Sequence, residues 1–132
     1  MRTEVLVVDD DGDLRRFLAA CLEDEGHTVL QAPNGRDALD LMRGHPSGLV
    51  VVLDLNMPVM SGIEVLRTVD AEPSLSARHG YIVMSLAKQH ELAPEVQELL
   101  ARRHIPFFVK PFDPSELVAA IPHAAQQVGA LD

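Results

Sequence analysis

The sequence predicts a doubly wound α/β fold built on a five-stranded parallel sheet, and three observations carry that reading. Short apolar, β-branched runs alternate five times with longer stretches of helical period, the pattern of βα units feeding a parallel sheet. The first, third and fourth runs are apolar on consecutive positions, as expected of central strands covered on both faces. The side chains able to do chemistry follow the ends of these runs. A length of 132 residues suits one compact domain spanning 1–132, and 47% hydrophobic with 23% charged residues excludes a disordered chain.

Taken in order, the first strand is predicted over Glu4–Val8. Leu14, Phe17, Leu18, Cys21 and Leu22 then recur at helical spacing, and Gly26 follows where a helix would cap. Cys21 is the lone cysteine, so it forms no internal disulfide or zinc site and is read as core packing. The second strand spans Thr28–Gln31, after which Asn34-Gly35 opens a second helix carrying Ala38, Leu39 and Met42. The third strand covers Leu49–Leu53, and Ser61 caps a third helix with Val65, Leu66 and Val69. Tyr81–Ser85 forms the fourth strand, and Pro94 suits the first turn of a fourth helix continued by Val96, Leu99 and Leu100. Pro106–Val109 forms the fifth strand. Pro106 lacks an N–H for the ladder, so that strand belongs at a sheet edge with the proline at its start. Asp113 caps a fifth helix with Leu117, Ala120 and Ile121 on one face, and Pro122 is expected to kink or end it.

Charge and hydropathy remove whole classes of function. Twenty acidic against eleven basic residues give a net charge of -9, which repels a polyanion and argues against direct nucleic-acid binding. Lysine occurs only at Lys88 and Lys110, too few for a lysine-rich patch on an anionic membrane. The longest apolar runs are about five residues, far below the roughly 20 that span a bilayer. The amino terminus lacks the pattern of a secretory signal, so a cytoplasmic location is expected.

In a parallel α/β sheet, functional groups gather beyond the carboxyl ends of the strands. Strand one ends in Asp9-Asp10-Asp11, strand three in Asp54-Leu55-Asn56, strand four in Ser85 and strand five in Lys110-Pro111. Ionised carboxylates gathered at one rim repel one another unless a cation offsets them. Magnesium, which takes oxygen ligands and leaves positions open to phosphate, fits that demand. Taken alone, Asp9–Asp11 is equally a helix-opening acidic turn, Lys110 a surface lysine and Ser85 a turn residue. Their convergence on one rim favours a site.

The blocks Val7-Val8-Asp9-Asp10, Asp54-Leu55-Asn56-Met57-Pro58-Val59-Met60-Ser61-Gly62, Ser85 and Lys110-Pro111-Phe112 resemble the receiver domain of two-component response regulators, over essentially the whole chain. The resemblance implies a flavodoxin-like sheet of order 2-1-3-4-5 with five flanking helices. It implies that Asp54 is the phosphoacceptor, taking a phosphoryl group from a phosphohistidine on a sensor histidine kinase or phosphotransfer protein. Mg2+ would be held by Asp10, Asp54 and the backbone carbonyl of Asn56, and by Asp9 directly or through water. Lys110 and Ser85 would hold phosphoryl oxygens, with Lys110-Pro111 as a cis peptide. Ser85 and Phe107 would form a switch that alters the face of helix four, strand five and helix five toward a downstream protein partner. Such a chain catalyses only its own phosphorylation and dephosphorylation, as a monomer or a phosphorylation-dependent dimer.

Three departures from the family pattern stand out. Leu86 is large where the family has a small residue, and Leu86–Ala93 is longer than usual, so the start of helix four is expected to be irregular. Arg102-Arg103-His104-Ile105 lacks the acidic pair of the winged-helix regulators, which together with Pro122 favours a stand-alone receiver. Two rival functions remain. Asp9-Asp10-Asp11-Gly12-Asp13-Leu14 nearly matches the opening of haloacid dehalogenase phosphatases, with Asp9 as nucleophile, although Asp13 stands where their threonine would be. A binding module that keeps the receiver fold but signals without phosphorylation is the other. A calcium loop over the same run fails, because Leu14 and Ala20 occupy its glycine and glutamate positions.

Overall fold

A computed structural model describes residues 3–128 of the chain. Five parallel strands, β1 (Glu4–Val8), β2 (Thr28–Ala32), β3 (Val50–Asp54), β4 (Gly80–Ser85) and β5 (Phe107–Val109), form one sheet of order β2-β1-β3-β4-β5. The helices are α1 (Gly12–Asp24), α2 (Gly35–Gly44), α3 (Gly62–Ala71), α4 (Pro73–Ser76), α5 (Pro94–Arg102) and α6 (Pro114–Ala125). Side-chain alternation along the strands divides the interior into two layers. Leu6, Val8, Val51, Leu53 and Val83 face α2, α3 and α5, whereas Val5, Val7, Val50, Val52 and Ile82 face α1 and α6. The two central strands β1 and β3 are therefore apolar at consecutive positions, and every residue of β3 and β4 is buried. The short β5 lies at the edge with Pro106 just before it, whose carbonyl accepts the Val83 N–H at 2.9 Å.

Four expectations are corrected. There are six helices rather than five, because Pro73 holds Glu72 in an extended conformation (φ -114°, ψ 104°), which ends α3 and starts the single turn of α4. Helix α6 does not end at Pro122 but continues to Ala125. The ring removes one N–H from an exposed position, where the carbonyl that loses its partner can be solvated. Phe17 is 53% exposed, so the buried stripe of α1 is Leu18, Ala19 and Leu22. Cys21 is half-buried at the margin of that stripe. The Leu86–Ala93 segment carries one 3-10 turn over Gln89–Glu91, where the Lys88 N–H donates to Glu91 Oε1 at 2.7 Å.

One buried polar residue organises the amino-terminal end of the sheet and leaves no sequence signal. His79 is 1% exposed. Its Nδ1 accepts the Leu49 N–H at 2.9 Å, so Nε2 carries the proton and donates to the Met42 carbonyl at 3.1 Å. The ring thus ties the end of α2 and the entry of β3 to the start of β4. Burial, the largest cause, holds the imidazole pKa below its ordinary 6.5, and the hydrogen bond to Met42 only partly opposes it. The unfolded chain therefore binds this proton more readily than the native fold, so the His79 contribution is complete above pH 6.5 and is lost as pH falls below it. His79→Ala is expected to cost about 3 kcal/mol near neutral pH, by leaving the Leu49 N–H and the Met42 carbonyl without partners. Urea titrations at several pH values should show the wild type, but not the variant, losing this increment on acidification.

Candidate functional site

The carboxyl ends of β1, β3, β4 and β5 converge on one rim. Asp9 and Ser85 are fully buried and Asp54 is 2% exposed, while Asp10 and Asn56 are exposed. Lys110, whose side chain is 12% exposed, places Nζ 2.7 Å from Asp9 Oδ2 and 3.4 Å from Asp54 Oδ2. The Asp11 N–H fills the other Asp9 oxygen at 2.9 Å, and the Asn56 N–H donates to Asp54 Oδ1 at 3.2 Å. One carboxylate oxygen from each of Asp9, Asp10 and Asp54 lies within 4.8 Å of the others. Asp54 pairs in register with Met84, which puts Ser85 one step beyond it on the neighbouring strand. Ser85 Oγ accepts the Ala87 N–H at 3.0 Å and sits 3.5 Å from Asn56 Oδ1. The Lys110 N–H donates to the Ser85 carbonyl at 2.8 Å, and the Lys110-Pro111 peptide is cis.

Local sequence shapes the loop after Asp54. Gly62 is required there, since a Cβ would lie 2.2 Å from the Asp54 carbonyl oxygen. A capping box between Ser61 and Glu64 starts α3 immediately afterward. Just before Ser61, Val59 adopts φ 68° and the Met60 N–H reaches the Pro58 carbonyl at 2.8 Å, the geometry of a γ-turn. A β-branched residue at positive φ is strained, so the turn is imposed by its surroundings.

Burial and neighbouring charge act together on the titratable groups of the rim. Burial is the largest influence on Asp54 and, with the nearby charge of Asp9, pushes its pKa up to about 6 against the Asn56 N–H and Lys110. Burial works against the Lys110 charge too, yet its hydrogen bond to Asp9 and the charge of Asp54 raise its pKa overall. One ammonium thus faces three carboxylates. An all-oxygen cluster with an exposed member suits a hard divalent cation such as Mg2+, which keeps waters and leaves positions for a phosphate oxygen. The arrangement fits that ion.

All seven residues that the sequence singled out fall on or beside this rim except Phe107, which lies behind it on β5, opposite Val83, partly buried against the α2–α3–α5 layer. Sequence reasoning missed Arg15, whose Nη1 donates to the Asp9 carbonyl at 2.8 Å and whose Nε donates to Gln31 Oε1 at 3.1 Å. It sits one helical turn past the acidic run, a position that reads equally as solvated.

Comparison with known proteins fixes the class. The chain shares its fold with the chemotaxis protein CheY4 of Vibrio cholerae, with a TM-score of 0.72 and 27% identity over 94% of this chain and 99% of that one. A sensor protein from Polaromonas gives a TM-score of 0.80 at 23% identity, covering 96% and 98% of the two chains, a likeness of fold alone. Residues 5–122 match the sequence model of the response regulator receiver domain. Sporulation initiation phosphotransferase F of Bacillus subtilis is 33% identical over 121 residues, 92% of each chain. The DNA-binding response regulator MtrA of Mycobacterium tuberculosis is 36% identical over 92% of this chain but only 50% of its own length. The chain belongs to the response regulator receiver domain family and is a receiver of two-component signal transduction.

The raised Asp54 pKa has a measurable consequence in metal-free protein. The native state holds this proton more tightly than the unfolded chain, so stability falls as pH rises from 3.8 through about 6. Asp54→Asn removes the buried charge and is expected to raise metal-free stability near neutral pH by ~2 kcal/mol. Chemical denaturation in chelator should show the gain shrinking toward zero as pH approaches the ordinary carboxylate range.

Proposed function

We propose that Asp54 accepts a phosphoryl group from a phosphohistidine on a sensor histidine kinase or phosphotransfer protein. The observation that carries this reading is the contrast between the two buried aspartates. Asp9 has both oxygens occupied, by the Asp11 N–H and by Lys110 at 2.7 Å, whereas the Lys110 contact of Asp54 Oδ2 is longer, at 3.4 Å. Asp54 therefore has the freer lone pair. The same contrast disfavours the phosphatase alternative, which needs Asp9 as nucleophile.

In the proposed reaction, Asp54 Oδ2 attacks phosphorus, a P–O bond forms and the P–N bond to imidazole breaks, the nitrogen leaving with the bonding pair as neutral imidazole because the other ring nitrogen of the phosphohistidine carries a proton. Ionised Asp54 is the reactive form, and its pKa of about 6 leaves it mostly ionised near neutral pH. Bound at Asp9, Asp10, Asp54 and the Asn56 carbonyl, Mg2+ would supply positive charge to the phosphoryl oxygens. Lys110 is poised to turn from Asp9 to one phosphoryl oxygen, and Ser85 to leave Asn56 for another. The new contact on Ser85 bears directly on the Leu86–Ala93 segment, and Phe107 lies beside β4 behind it. We assign the output face to α5, β5 and α6, acting on a downstream protein partner, with the chain as a monomer or a phosphorylation-dependent dimer.

One receiver domain accounts for residues 1–132, with no chemistry beyond its own phosphorylation and dephosphorylation. Among the described residues no helix is long and apolar enough to cross a membrane, and the reading places the chain in the cytoplasm. The net charge of -9 supports a protein rather than a nucleic-acid partner.

Incubation with acetyl phosphate and Mg2+ should add one phosphoryl group by mass spectrometry. Asp54→Asn is expected to abolish the addition and Asp9→Asn only to weaken it. Retention by Asp54→Asn with loss in Asp9→Asn would transfer the role to Asp9, and no addition to the wild type would favour the phosphorylation-independent module.

A further inference from the structure

We infer that Arg15 is a positioning residue for the cation site: its guanidinium fixes the Asp9–Asp10 peptide and through it the exposed carboxylate of Asp10. The inference rests on the cation site proposed above. Its starting point is an asymmetry among the three carboxylates. Asp9 is held by Lys110 and the Asp11 N–H, and Asp54 by Lys110 and the Asn56 N–H. Among the described residues, none donates a hydrogen bond to the Asp10 carboxylate. Asp10 is exposed, so only the backbone that bears it can aim it.

That backbone is clamped at two points. The Asp9 N–H donates to the Ala32 carbonyl on β2 at 3.2 Å, and the Asp9 carbonyl accepts Arg15 Nη1 at 2.8 Å. The carbonyl belongs to the peptide plane that enters Asp10, so its orientation, together with the Asp11 N–H bond to Asp9 Oδ1 on the other side of Asp10, restricts the direction of the Asp10 Cα–Cβ bond. Arg15 is itself aimed by Gln31, whose Oε1 accepts Nε at 3.1 Å. The guanidinium therefore bridges α1, the end of β1 and the edge strand β2 with donors in a fixed planar geometry. Metal coordination tolerates displacements of only about 0.5 Å in its ligands, and outer partners of that kind typically govern 10- to 100-fold in metal affinity.

Arg15 also brings a positive charge to an acidic site, which gives the inference a sign. If charge alone mattered, removing the guanidinium would tighten Mg2+ binding by reducing repulsion. A positioning role predicts the opposite. Mg2+ titrations of the full chain, followed by the amide resonances of Asp10, Asp11 and Asn56, give the dissociation constant, and melting in chelator gives the stability without metal. Arg15→Met is expected to raise the Mg2+ dissociation constant about tenfold. Gln31→Leu, which leaves the charge of Arg15 in place, should raise it by roughly threefold. Both variants should melt within about 2 °C of the wild type in chelator, since neither removes buried apolar surface. Wild-type binding with equal or tighter binding by Arg15→Met would overturn the inference alone. An absent Mg2+ response in the wild type would overturn the proposed cation site and the inference with it.

Discussion

Two buried carboxylates around one ammonium, with a third exposed beside them, set the terms for this molecule. Lys110 reaches Asp9 at 2.7 Å across 101 residues of chain, so the contact exists only if β1 and β5 end at one rim. The 2-1-3-4-5 order achieves this by placing β3 and β4 between them. The loop after β3 passes close to the strand end at Gly62, where a side chain would strike the Asp54 carbonyl. Burial, together with the nearby charge of Asp9, raises the Asp54 pKa, and the acidic cluster at the rim suits a cation. The burial of Asp54 costs the fold free energy while its charge is uncompensated.

The α3–α5 side of the molecule is held in a different way. Arg67 pairs with Glu95, and Arg102 and Arg103 both bond Asp70, fastening α5 to α3. The hydrogen bonds from Arg102 and then Arg103 hold the Asp70 pKa down at about 2. Exposed ion pairs contribute about 0–1 kcal/mol each, so they set the resting position of α5 without locking it. A phosphoryl group can shift such an element only by its differential interaction with the two states, typically 1–3 kcal/mol. Loose surface ties and a well-packed sheet beneath them match that scale.

Much of this was legible in the sequence because the relevant signals are local. Consecutive apolar positions marked β1, β3 and β4 as doubly covered strands, Pro106 placed β5 at the edge, and the residues at each strand end named the rim. Where the sequence misled, a longer-range effect decided. Pro122 read as a kink or an end, yet α6 continues past it, because it falls on an exposed position where the lost hydrogen bond is tolerable. Phe17 has helical spacing but faces away from the sheet. His79 and Arg15 carry no periodicity at all; their roles depend on backbone groups of residues 30, 37 and 6 positions away, and no pattern in the chain announces those partners.

The central claim is that the acyl phosphate forms on Asp54, and trapping that bond chemically tests it most directly. Borohydride reduces an aspartyl phosphate to homoserine, so peptide sequencing of the phosphorylated, reduced protein reads the acceptor position without any substitution. The account predicts homoserine at position 54 alone, dependent on Mg2+. Homoserine at position 9 or 10, or none from protein shown to carry phosphoryl label, would contradict it.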